Sequence, residues 1–117
     1  MRTKRKNWLC LLLIFCLLLG TLPSRVEAAT FTPDLNFSGT TATCYVKIKG
    51  SIGKQITATM ELWHGLTKVD SWSGTGTSQL ILNKTHSGCV SGWTYTLKIN
   101  GTIGGVAFSE ITVTATC

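Results

Sequence analysis

Apolar and polar residues alternate one for one along several stretches of this chain. The clearest runs from Trp93 to Ile99, where Trp93, Tyr95, Leu97 and Ile99 take one parity and Thr94, Thr96 and Lys98 the other. Successive side chains of a β-strand point to opposite faces, so the pattern describes a strand with one face on a core and the other in water. It recurs: Cys44, Val46 and Ile48 oppose Tyr45, Lys47 and Lys49, and Ile56, Ala58, Met60 and Leu62 oppose Thr57, Thr59, Glu61 and Trp63. Leu80 and Leu82 mark a further strand, and a short one of poor alternation covers Lys68 to Trp72. Near the C-terminus Val106 and Phe108 share one parity while Ile111, Val113, Ala115 and Cys117 share the other. One extra residue near Ser109 and Glu110, a β-bulge, keeps both sets on the core. Thr30 to Phe37 reads as a short edge strand, because Pro33 cannot donate to a central ladder.

Turn signals separate these stretches: Gly53-Lys54, His64-Gly65, Ser73 to Gly76, Ser87-Gly88 and Gly104-Gly105. The run Lys47 to Gly53 (KIKGSIG) is echoed by Lys98 to Gly104 (KINGTIG), which predicts hairpins turning at Gly53-Lys54 and at Gly104-Gly105. Short strands at regular spacing, with no helical periodicity beyond a turn, predict an all-β fold: a small antiparallel β-sandwich of about six or seven strands.

Residues 1–28 have the form of a cleaved export signal. Arg2, Lys4, Arg5 and Lys6 form a basic head, Trp8 to Leu19 an apolar run, and Val26-Glu27-Ala28 the segment before a cut after Ala28. The apolar stretch stops at Pro23, short of the roughly 20 residues a spanning helix needs, and neither Cys10 nor Cys16 follows the small residue that lipid attachment requires. A secreted, extracellular domain over residues 29–117 with no stable membrane anchor is the expectation. This division changes the charge. The whole chain carries +6, but residues 29–117 hold six lysines, four carboxylates and no arginine, which leaves +2. Nucleic acid and acidic membranes therefore have little electrostatic support as partners.

Of five cysteines, Cys44, Cys89 and Cys117 follow the signal. With antiparallel strands all three fall at one end of the domain. Cys44 and Cys117 share the inward parity of their strands while Cys89 lies in a Ser/Gly loop, so the expected disulfide is Cys44 to Cys117 with Cys89 free. Zinc ligation is disfavoured, since neither the cysteines nor His64 and His86 form the close pairs of structural sites.

Ser91-Gly92-Trp93-Thr94-Tyr95-Thr96-Leu97-Lys98-Ile99 resembles the turn-then-tyrosine entry to the sixth strand of fibronectin type III and Ig-like sandwiches. The resemblance implies that the tyrosine hydroxyl bonds back to the preceding loop. More broadly, residues 38–117 resemble a group of small exported proteins of Gram-positive bacteria, in the early cysteine after a Ser/Thr/Gly run, Ala58 to Trp63, Ser71 to Gly74, Tyr95-Thr96-Leu97 and the terminal cysteine. That group implies no activity, and Cys89 departs from its pattern.

Catalytic signatures are lacking. Asp34, Glu61, Asp70 and Glu110 are the carboxylates after the signal, none paired at short spacing, and there is no Gly-x-Ser-x-Gly elbow. The expectation is a non-enzymatic binding or structural module without a cofactor, acting on an extracellular protein or glycan. Carbohydrate binding is the specific alternative, with Trp63, Trp72 and Tyr45 as a stacking platform. A toxin or antimicrobial role is a remote one. Asn36, Asn83 and Asn100 each open an Asn-x-Ser/Thr triplet, read here as strand-end chemistry.

Overall fold

The computed structural model describes residues 29–117, and the export signal read over residues 1–28, with Cys10 and Cys16, lies outside the described residues. Eight strands form: β1 (Thr30–Ser38), β2 (Thr41–Lys49), β3 (Gln55–His64), β4 (Thr67–Thr77), β5 (Gln79–His86), β6 (Thr94–Ile103), β7 (Val106–Ala107) and β8 (Ile111–Thr116). They make two antiparallel sheets, β1-β2-β5 and β4-β3-β6, with β7 and β8 on the free side of β6. The inward residues read from the alternation fill the space between the sheets. Val46 and Ile48 from one sheet and Ile56, Met60, Leu62, Leu97 and Ile99 from the other are fully enclosed. No polar or charged side chain is fully buried among the described residues.

β7 and β8 are one strand interrupted by the expected bulge. Between the Thr102–Ala107 and Ile99–Ile111 pairs, Asn100 and Gly101 of β6 face Phe108, Ser109 and Glu110. Phe108 and Ile111 thereby both pack on the core, but Val106, expected to share the inward face of Phe108, stands beside the β6–β7 turn and is 52% exposed. A second bulge explains the poor alternation of β4. Leu62 pairs with Asp70 but Trp63 with Lys68, so Val69 is the extra residue and turns to the core while Lys68 stays outside.

Two turn expectations are overturned. Gly53-Lys54 does not make a hairpin: β2 and β3 belong to different sheets, and the segment between them crosses the sandwich. Ser73 to Gly76 is not a turn but the continuation of β4. Glycine there serves closure rather than chain reversal. A Cβ on Gly74 would lie 2.7 Å from Leu82 Cδ2, and one on Gly76 would collide with the Gln79 carbonyl. Small residues let the edge strands β4 and β5 approach where the chain passes from one sheet to the other.

That passage is made by Ser78, whose φ of 68° is unusual for a residue with a Cβ. Three hydrogen bonds hold it. Ser78 N–H donates to Lys54 O (2.8 Å), its carbonyl accepts from Gly50 N–H (2.9 Å), and its Oγ accepts from Gly53 N–H (2.8 Å). The two crossings β2 to β3 and β4 to β5 are thus locked together, and Gly104 N–H donates to Gln55 O beside them.

Candidate functional site

The opposite pole is assembled from the β1–β2 turn, the β3–β4 turn, the β5–β6 loop and the C-terminus. Its scaffold is Tyr95. Inward by parity, the ring is buried, and its hydroxyl accepts a hydrogen bond from Val90 N–H (2.9 Å), as the fibronectin-like resemblance implies. Trp93 N–H closes a tight turn onto Val90 O (3.1 Å), and the terminal residue is tied to this loop by Gly92 N–H to Cys117 O and Cys117 N–H to Trp93 O, each 2.9 Å.

Trp93 does not pack inside. It precedes the first residue of β6, so the strand's parity no longer governs it, and the residue is 44% exposed. The indole stacks on His64 at 3.9 Å between centroids and 8° between planes, and Tyr95 lies beneath both, its centroid 5.5 Å from His64 and 6.4 Å from Trp93. Phe37 of β1 completes the cluster at 5.6 Å from Tyr95. Two further apolar side chains face water at this pole: Leu66, 98% exposed in the β3–β4 turn, and Val90, 41% exposed in the β5–β6 loop. Neither was indicated by strand alternation, because both lie in connections. The available signal was Leu66 itself, an aliphatic residue where turn chemistry favours Gly, Asn or Asp.

The three residues of the expected stacking platform are not brought together. Tyr45 stands on the outer face of the β1-β2-β5 sheet, between Asp34 and Asn83 on the flanking strands. Trp63 stands on the outer face of the other sheet, where Nε1–H donates to Glu61 Oε1 (3.1 Å) and Lys98 Nζ sits 4.6 Å from the ring centroid. A cation over the indole occupies the face a sugar would use. Trp72 pairs with Met60 and packs against the core.

Cys89 and Cys117 lie at the aromatic pole and Cys44 on the β2 strand that leads from it, with no disulfide among the three in the structure. Cys44 is enclosed on the inner face of β2, and burial, with the neighbouring Cys89 and Asp70 charges, pushes its thiol up to about 12. Cys89 is also buried, and desolvation followed by the nearby Cys117 raises its thiol. Neither is a thiolate near neutral pH, and the thiolate is the nucleophilic form. Beside them His86 of β5 meets Asp70 of β4, Nδ1 to Oδ2 2.9 Å, joining the edge strands of the two sheets. No group of His, Cys, Asp and Glu among the described residues is arranged to hold a metal ion.

No family model matches the chain, and no curated protein matches it.

Proposed function

We propose that this chain is a secreted, non-enzymatic binding module that engages a partner protein through the aromatic pole. The observation that carries the reading is the Trp93–His64 stack, seated on the buried Tyr95 and flanked by the exposed Leu66 and Val90. Elsewhere the exposed large apolar side chains are the aliphatic Ile52, Ile81 and Val106, with no exposed ring among them, and threonines of the β3–β6–β8 face bond to one another across strands, as Thr57 to Thr102 and Thr94 to Thr116 do. Exposed aromatics on a fixed scaffold are the usual anchors of protein interfaces, since they contribute large contact area with little ordering cost. The sandwich supplies rigidity and the loops at its end supply the contact, a division of labour common to such domains.

The test is capture from the extracellular medium of producing cells. Immobilised wild-type chain should retain a partner that the Leu66→Ser/Trp93→Ala variant loses and the Trp63→Ala variant keeps. Loss with Trp63→Ala alone would move the site to the β3-β6 face and overturn the reading.

Carbohydrate binding is a second reading, now resting on Tyr45 alone. Its ring stands between a carboxylate and an amide on adjacent strands, the mixture of stacking face and hydrogen-bonding groups that a sugar takes. A glycan array read with wild type and Tyr45→Ala separates the two.

A further inference from the structure

The thiols at the aromatic pole are not equivalent, and their backbone settings separate them. Cys117 is the last residue, beyond the end of β8 and partly exposed, with its Sγ 3.5 Å from Gly39 O. Cys89 donates its N–H to Thr40 O (2.9 Å), the next carbonyl of the same β1–β2 turn. The tight turn from Val90 to Trp93 then folds the chain back, and the ladder from Gly92 and Trp93 to Cys117 sets the C-terminus against the loop that carries Cys89. Cys44, by contrast, is held mid-face on β2, paired with Leu35 and Lys84 and fully enclosed.

We infer that Cys89 and Cys117 are the pair that forms a disulfide in an oxidising compartment, and that Cys44 remains a buried thiol. The inward parity shared by Cys44 and Cys117 favours their pairing by face, but Cys44 is fixed between two strands in the β2 ladder, whereas Cys89, though also buried, lies on the loop that backbone bonds tie to the C-terminus and to the β1–β2 turn beside Cys117. Exchange requires a thiolate that can reach the oxidant. The oxidant is a small disulfide such as oxidised glutathione. The exposed Cys117 thiolate attacks one of its sulfurs, releasing one glutathione thiolate and leaving a mixed disulfide. The Cys89 thiolate then attacks the Cys117 sulfur, forming the protein disulfide and releasing the second glutathione. Two electrons pass to the oxidant, and the two cysteine protons end on the released thiols. The burial that raises the Cys89 thiol makes this second step faster at alkaline pH.

Non-reducing peptide mapping of the purified chain, after equilibration with oxidised glutathione, tests the assignment. The expected result is one bond, Cys89 to Cys117, and one thiol that reacts with a thiol reagent only after denaturation. Reduction should lower the Tm by about 10 °C or more, because the bond closes a loop in the unfolded chain. The Cys44→Ala variant should keep both the bond and the redox-dependent shift, and Cys89→Ser should lose both. If Cys44→Ala does not fold, the map of the unsubstituted chain decides alone. A bond from Cys44 to either partner, or three free thiols at equilibrium, overturns the inference.

Discussion

The two poles of the sandwich are closed by different means. At one, backbone groups do the work: Ser78 bonds to Gly50, Gly53 and Lys54, Gly104 to Gln55, and three inter-strand glycines leave no room for a Cβ. At the other, backbone bonds from Cys89 to Thr40 and between Gly92, Trp93 and Cys117 are joined by side chains, namely the stacked rings of Trp93 and His64 over Tyr95 and the thiols around the β1–β2 turn. A backbone-locked end tolerates few substitutions and presents little to a partner. The exposed ring of Trp93 can be replaced while those backbone bonds and the sheets persist, as the proposed contact surface requires. Each pole also exposes aliphatic residues, Ile52 and Val106 at the first and Leu66 and Val90 at the second; the rings at the first, Phe31 and Phe108, pack against the core, whereas Trp93 at the second is 44% exposed.

Substitutions should sort accordingly. The largest loss is expected for Gly101→Ala, whose Cβ would fall on the Thr57 carbonyl, 2.8 Å from Ala58 Cα in a fixed strand. A drop of roughly 3 kcal/mol or more in chemical denaturation is expected. Ser78→Val forces a β-branched residue into the left-handed region and removes the acceptor for Gly53, for about 2–3 kcal/mol. Ser78→Gly exchanges the same hydrogen bond for relief of strain and should lie within about 1 kcal/mol of wild type. If the valine variant is as stable as the glycine one, this pole is not locked as described.

At the other pole the expected costs are smaller. Tyr95→Phe leaves the Val90 N–H without its partner, for about 1–2 kcal/mol, and should speed exchange of that amide with solvent. Trp93→Ala removes a half-exposed ring, for about 1 kcal/mol by thermal unfolding, yet should abolish partner retention. The smallest effect is the pH dependence of the Asp70–His86 contact. The His86 hydrogen bond, then that from Ser71 N–H, holds the Asp70 carboxyl below its usual range. A depressed carboxyl stabilises the fold above its unfolded value of about 3.9 and loses that contribution as pH falls through its folded value. With both side chains partly in solvent, it amounts to less than about 1 kcal/mol. Acid titrations of wild type and Asp70→Asn should therefore diverge only slightly above pH 4 and converge below it.

What could be read from the sequence, and what could not, follows from where alternation operates. The core of β2, β3 and β6 was legible because each strand buries one face only, and the C-terminal bulge followed from the parity change between Phe108 and Ile111. β4 was obscured, since Val69 shifts its phase and Gly74 and Gly76 look like turn residues although they fill a close approach to β5. The Gly53-Lys54 turn signal was real, but a turn does not reveal whether the chain returns to the same sheet. At the candidate site, Tyr95 was legible and Trp93 was not, because parity counted back from Tyr95 runs past the start of β6. Trp63, Trp72 and Tyr45 share a residue class but not a surface, and only tertiary structure separates them.

The proposed contact at the aromatic pole can be mapped by crosslinking. A photoreactive amino acid placed at position 66 tests it most directly, with the same residue at position 81, an exposed apolar site on the outer face of the β1-β2-β5 sheet, as the comparison. After irradiation among producing cells, a discrete higher-mass adduct is expected from position 66 and none from position 81. An adduct from position 81 only, or none from either, would contradict the proposal.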